Sequence, residues 1–123
     1  MVDAREQIKN LLEGIPFKEP FKVSSQFPQS DSEGVAITYA ELLNTQTSVS
    51  VVDEIAFQVD IWTYDMETLV NLIHLVSDTL TGTGFKRQFT SPDFTPAETK
   101  SKYFRKTMRF GRKVDTRTNR LID

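Results

Sequence analysis

The sequence contains no cysteine and a single histidine among its 123 residues. The absence of cysteine excludes disulfide bonds, thiolate metal sites and cysteine nucleophiles. No apolar run approaches the roughly 20 residues that a membrane-spanning helix needs, so no membrane partner is expected. The first residues are charged and lack an apolar signal segment. We therefore expect a protein of the cell interior or of a particle assembled there.

Groups that carry catalysis are also scarce. His74 has neither a second histidine nearby to share a metal nor an obvious nucleophile beside it. Gly82 and Gly84 follow a predicted helix, whereas the glycines of a phosphate loop precede one. Asp93 and Glu98 superficially resemble the acidic pair of metal-dependent nucleases, but both lie in one proline-bounded loop. The sequence predicts no enzyme, no cofactor and no metal.

Charge is distributed unevenly along the chain. From Lys100 to the last residue there are nine basic and two acidic residues, whereas the preceding part has six basic and fifteen acidic ones. Such opposed blocks can bind nucleic acid through the basic end, or let copies of the chain dock on one another. A solvated basic tail is the simplest alternative.

The two predicted helices have recognisable ends. Asp3 and Glu6 predict the start of the first helix, and Gly14 predicts its end. Asp65 predicts the cap of the second helix. Apolar residues at helical spacing predict its buried face, namely Leu69, Leu72, Ile73, Val76 and Leu80.

Alternating patterns predict the strands. They cover residues 35–42, 55–64, 85–90 and 102–113, with a further short strand near residues 21–24 and loops at residues 44–50 and 91–99. Two helices cannot cover both faces of such a sheet. The predicted fold is therefore α+β: a two-layer sandwich with a mostly antiparallel sheet of four to five strands and two helices packed on one face. Residues 1–123 form one domain, with a helix in residues 1–14 and a mobile tail in residues 114–123.

The strand at residues 55–64 has an unusual second face. One side is apolar, whereas the other carries Asp60, Trp62 and Tyr64 along with an amide. Arg105 and Arg109 fall on the corresponding side of the last strand, where they could pair with Asp60 and stack on Trp62. We interpret these five residues as a candidate subunit interface, with an open sheet and a few exposed aromatics as the alternative.

A family resemblance supports this interpretation. It rests on the order of several short sequence motifs of low specificity. These motifs are Gln26-Phe27-Pro28, Ile37-Thr38-Tyr39 with Glu41 and Asn44, Phe57-Gln58-Val59-Asp60-Ile61-Trp62, Gly84-Phe85-Lys86-Arg87 and Met108-Arg109-Phe110. In these motifs and their order, the chain resembles the tail completion, or tail terminator, proteins of long-tailed bacteriophages and prophages. The similarity extends from about Ile8 to Arg112 and includes no catalytic signature.

The resemblance implies a structural subunit that forms a ring, expected to be a hexamer, at the head-proximal end of the tail tube. Such rings stop tube polymerisation and join the tail to the head connector, so the implied location is the head–tail junction of the virion, and the host cytoplasm during assembly. The implied partners are further copies of the chain, the tail-tube protein and the connector protein. Another neck protein, or a nucleic-acid-binding protein using the basic last strand, are the alternatives.

Loops that order on binding are expected to contact the tube or the connector. The candidate partner-contact residues are Thr45, Gln46, Thr47, Asp93, Phe94, Arg112 and Lys113.

Overall fold

A computed structural model describes residues 1–28, 34–118 and 120–121. The elements in chain order are α1 (Arg5–Glu13), β1 (Phe21–Ser24), β2 (Val35–Gln46), β3 (Val52–Thr63), α2 (Met66–Gly82), β4 (Lys86–Thr90), α3 (Pro96–Thr99) and β5 (Phe104–Asp115). The strands form one sheet in the order β1-β2-β3-β5-β4. Only the β1–β2 pair is parallel, and the other three pairs are antiparallel. The predicted α+β fold with a mostly antiparallel sheet is confirmed.

Alternation along β2, β3 and β5 divides the sheet into two different faces. In register, Phe57 lies opposite Phe110 and Val59 opposite Met108, so their side chains point to the same side. The longer helices, α1 and α2, bury their apolar stripes on this side. We call it the helix-covered face. Its central members are Ile8, Leu12, Ile37, Ile55, Phe57, Val59, Ile61, Leu69, Leu72, Val76, Leu80, Met108 and Phe110, each at most 1% exposed.

The start of α1 differs from the prediction. Ala4 occupies the N-cap position, and no side chain caps the helix. The Asp3 carboxylate instead accepts hydrogen bonds from the backbone and guanidinium of Arg5. Just before it, Val2 is fully buried, and its backbone N–H donates to the buried Asp53 carboxylate at 3.0 Å. The predicted capping box is therefore wrong, because the segment is fixed by Val2 and not by a cap.

The second helix follows its sequence signals closely. The Asp65 carboxylate caps α2 by accepting the N–H of Thr68 at 2.7 Å. The helix ends at Gly82, and Gly84 takes a φ of 93°, a conformation that glycine adopts without steric cost. The next backbone N–H, that of Phe85, then donates to the Leu80 carbonyl.

The hairpin between β2 and β3 is tighter than predicted. The β2 strand continues through Asn44 to Gln46, and only residues 47–51 form the connection. Polar residues at 44–46 predicted a loop, but they belong to the strand. Thr45 and Gln46 are exposed there, where polar side chains are ordinary, and the partly buried Asn44 donates to the Val2 carbonyl. A register shift between Glu41 and Leu43 marks the bulge where the strand changes course.

Two residues of the predicted tail, Val114 and Leu121, pack in the domain. Val114 is buried within β5, and Leu121 is 3% exposed in the core. The Leu121 N–H donates to Gln7 Oε1 at 2.9 Å, and its carbonyl accepts from Arg112. The prediction of a mobile tail from residue 114 is therefore wrong for this part. Residues 119, 122 and 123 of that tail lie outside the described residues.

Candidate functional site

The second face of the sheet, which we call the outer face, lies opposite α1 and α2. Its centre is formed by three neighbouring strands, with Asp60 on β3 in register between Thr38 on β2 and Thr107 on β5. Among the described residues, its cover includes side chains from the sheet, Phe27 from the segment after β1 and Tyr103 from the segment before β5. The outer face thus carries a few aromatic side chains, whereas the opposite face is covered by α1 and α2.

Asp60 is the polar centre of the outer face. It is only 2% exposed, and its carboxylate accepts hydrogen bonds from Gln58, Arg105 and Thr107. The Arg105 guanidinium also forms an ion pair with it, at 3.0 Å. A buried carboxylate is tolerated only when paired and hydrogen-bonded in this way. The predicted pairing of Arg105 with Asp60 is confirmed.

Trp62 is enclosed by rings and a guanidinium. The Arg105 guanidinium carbon lies 4.5 Å from the Trp62 ring centroid and 4.7 Å from that of Phe27. The Phe27 and Trp62 rings are themselves 5.0 Å apart, and the indole N–H donates to Thr38 Oγ1 at 3.0 Å. Trp62 is therefore only 7% exposed, whereas Phe27 at the rim is 53% exposed. The predicted stacking of arginine on Trp62 is confirmed, with Arg105 as the arginine.

Two tyrosines extend this cluster toward the end of the sheet. Tyr64 and Tyr103 stack at 5.2 Å with an interplanar angle of 17°, and Lys102 Nζ lies 5.6 Å from both ring centroids. Burial, followed by the hydrogen bond with Tyr64, raises the pKa of the Tyr103 hydroxyl to about 12. The Tyr64 hydroxyl accepts the N–H of Gly34 at 2.7 Å. We call Phe27, Trp62, Tyr64, Tyr103 and Arg105 the aromatic cluster.

Arg109 lies apart from this cluster. Its Nε donates to Gln88 Oε1 at 2.8 Å, at the β4 side of the sheet. A register shift between Arg87 and Phe89 places a bulge there, and Phe89 is 56% exposed. The structure thus brings Asp60, Trp62 and Arg105 together with Tyr64 at the border. Arg109 lies on β5 and contacts Gln88 of the edge strand β4 instead.

The predicted partner-contact residues fall into two groups at opposite ends of the sheet. Thr45, Gln46 and Thr47 lie at the β2–β3 hairpin. Lys113 lies at the same end of the sheet, opposite Glu54 of β3 in the strand register. At the other end, Asp93 forms an ion pair with Lys106 at 2.9 Å, and Phe94 forms an isolated bridge with Arg105.

Arg112 forms hydrogen bonds within the fold. Its guanidinium donates to the carbonyls of Thr83 and Leu121, beneath the end of α2. Its assignment as a partner contact, like those of the other predicted site residues, stays a prediction.

Most of the basic C-terminal block is engaged within the chain. Six of its nine basic residues have a partner described above or an adjacent acid, namely Lys102, Arg105, Lys106, Arg109, Arg112 and Arg117. Of these contacts, the pairing of Arg105 with Asp60 was predicted from the alternation of two strands. No pattern in the sequence indicated the partners of Lys106, Arg109 and Arg112.

Sequence reasoning also missed the part played by Phe27. An aromatic residue beside Pro28 in a polar segment is the one signal that could have singled it out. A neighbouring cavity of about 470 Å³ is lined by Phe27, Trp62, Tyr103 and Arg105 along with Thr99, Lys100 and Lys102. A larger cavity, of about 690 Å³, lies between the segment at Pro16–Glu19 and the first half of α2.

Two further observations apply to residues 1–28, 34–118 and 120–121. No group of three or more metal-ligating His, Cys, Asp or Glu side chains occurs there. None of the helices in these ranges has the length and apolar character needed to cross a bilayer.

The fold and the site define a small α+β domain with one helix-covered sheet face and an aromatic cluster on the other. No protein-family model matches the sequence, and no curated protein matches it at a significant level.

Proposed function

We propose that the protein is a structural subunit of a phage or prophage particle, without catalytic activity, that assembles with copies of itself into a ring at the end of a tail tube. In this role the ring ends tube polymerisation and provides the surface that joins the tail to the head connector at the head–tail junction. The subunit assembles in the host cytoplasm. The family resemblance described above supplies the particle and the position in it.

The outer face is the observation that carries the proposal. An ordered, buried network around Asp60 ends in an exposed rim, with Phe27 53% and Tyr64 42% exposed. Exposed aromatics beside arginine are enriched at protein interfaces, whereas a face made only to meet water has little use for them. A rigid network that holds aromatics at a rim favours docking of another protein chain.

Nucleic-acid binding receives less support from the same geometry. The arginines that the basic block would offer to phosphates are largely engaged inside the chain, for example Arg105 with Asp60 and Arg112 with backbone carbonyls. A binder of single strands also needs a continuous basic groove along its aromatic platform. We therefore keep nucleic acid as the second candidate.

The direct test measures assembly. Negative-stain microscopy and light scattering are applied to the protein at high concentration, alone and with the tail-tube protein of the same virus. We expect rings of uniform size, or binding at one end of the tubes with arrest of their growth. A monomeric mass at every concentration together with unaltered tube growth would contradict the proposal.

Two matched variants refine this test. Phe27→Asp places a charge on the exposed rim of the aromatic cluster, and Val49→Asp does so at the hairpin, where Val49 is similarly exposed at 54%. We expect ring formation to fall at least tenfold in the first variant and to change little in the second. Titration with single-stranded DNA at two salt concentrations tests nucleic-acid binding, the second candidate. DNA binding that weakens steeply with salt would favour that candidate.

A further inference from the structure

The mouth of the cavity beside the aromatic cluster is basic and aromatic. Arg105 is paired with Asp60, and the exposed lysines Lys100 and Lys102 also line the mouth. Lys100 is exposed and has a φ of 54°, a conformation in which glycine or asparagine is usual. A lysine is thus held at the mouth in a backbone position that does not favour it. A fitting occupant is apolar with a carboxylate beside it.

The first half of α2 has this character. Met66 and Val70 are 36% and 39% exposed, and their spacing of four residues places them on the same side of the helix. Glu67, also exposed, stands next to them. The Asp65 carboxylate is taken up by the cap, since it accepts both the N–H and the hydroxyl of Thr68. Glu67 therefore carries the charge of this apolar stripe.

We infer that Met66, Glu67 and Val70 of one copy dock in the cavity mouth of a second copy, with Glu67 beside Lys100 and Lys102. The inference rests on the proposed self-assembly and identifies the two surfaces that meet. Opposite charges and exposed apolar side chains on both surfaces support the pairing.

The position of the two surfaces fixes the type of contact. The cavity opens on the outer face, whereas α2 packs on the helix-covered face, so one copy cannot bring its own two surfaces together. Both lie at the same end of the sheet, because Tyr64 precedes the cap residue Asp65 and Thr63 pairs with Phe104. A contact between unlike surfaces is heterologous. In a bound pair, one copy still has a free α2 surface and the other a free cavity mouth, so further copies can add at both ends. Repetition of this contact is what a ring requires.

Charge reversal tests the pairing. One variant carries Glu67→Lys, and the other carries Lys100→Glu and Lys102→Glu. We expect each alone to assemble at least tenfold more weakly than the natural protein. Mixing the two should restore assembly, because every contact in an alternating ring then joins opposite charges. A single chain with all three substitutions should also assemble.

Matched controls place the same charge changes elsewhere. Asp78→Lys alters the second half of α2, and Lys86→Glu alters the start of β4, both at exposed positions. Neither should weaken ring formation. Circular dichroism and the fluorescence of Trp62, the only tryptophan, check that each variant is folded.

The outcomes separate this inference from the proposed function. If the natural protein forms rings and either reversal leaves them intact, the inference is wrong and the proposed function stands. If both reversals abolish assembly but neither the mixture nor the triple variant regains it, the pairing is wrong as well. If the natural protein neither self-associates nor binds tube ends, the proposed function itself fails.

Discussion

The two faces of the sheet bury their side chains in different ways. The helix-covered face buries aliphatic and aromatic side chains under α1 and α2, and its central residues are almost fully inaccessible. The outer face reaches comparable burial at Asp60 and Trp62 with hydrogen bonds, an ion pair and stacked rings. Burial on the helix-covered face depends on the packing of apolar side chains, whereas burial on the outer face depends on hydrogen bonds and ion pairs between polar groups.

This difference has a consequence for assembly. An apolar face left without helices would be an aggregation hazard, whereas a satisfied polar network holds its shape in water. The outer face can therefore present Phe27 and Tyr64 at its rim without exposing the interior of the sheet. The three predictions that follow test this contrast.

The largest effect is expected on the helix-covered face. Phe57 is fully buried there, opposite Phe110, so Phe57→Ala leaves a cavity. We expect the free energy of unfolding to fall by about 3–5 kcal/mol, measured by chemical denaturation. Phe89→Ala is the matched control, since Phe89 is 56% exposed, and it should cost less than about 1 kcal/mol. Equal losses would show that the two positions do not differ as described.

A smaller but distinctive effect is expected at Asp60. Asp60→Ala removes the acceptor of Gln58, Arg105 and Thr107, and we expect a loss of about 2–3 kcal/mol because Arg105 is partly exposed and can regain water. Adding Arg105→Ala should cost less than the two single losses together, since the two side chains act as a pair. Additive losses in this double-mutant cycle would contradict a coupled network.

The smallest effect depends on pH. Because the pKa of Tyr103 is raised to about 12, the native state keeps a proton that the unfolded state loses above about pH 10. Stability from this group is complete below pH 10 and falls as the pH rises toward 12, by about 1–2 kcal/mol. Tyr103→Phe should have the shallower decline across this window when unfolding is followed at each pH. Parallel curves for the two proteins would remove Tyr103 as the cause.

Sequence reasoning captured what is local or periodic. Alternation in β3 separated Phe57 from Asp60, and the cap at Asp65 fixed the start of α2. The neighbours Asp60, Trp62 and Arg105 were placed together because two alternating strands of one sheet bring their like faces into line. These parts follow from a short window of sequence or from the regular alternation of side chains along strands.

The remaining features depend on contacts between distant segments. Phe27 covers Trp62 from a segment with no periodicity, and Leu121 is buried although most of the residues after Val114 are polar. The continuation of β2 to Gln46 is decided by pairing with β3 and not by its own polar residues. No local pattern records such contacts, so they could not be predicted.

The hydrogen bond from Leu121 to Gln7 joins residues 114 positions apart. In kinetic terms it closes a loop that contains nearly the whole domain, and such contacts form only after the intervening chain has been ordered. We expect this contact to be among the last gained in folding. During folding, the sheet would then be complete before Leu121 forms its hydrogen bond with Gln7 of α1.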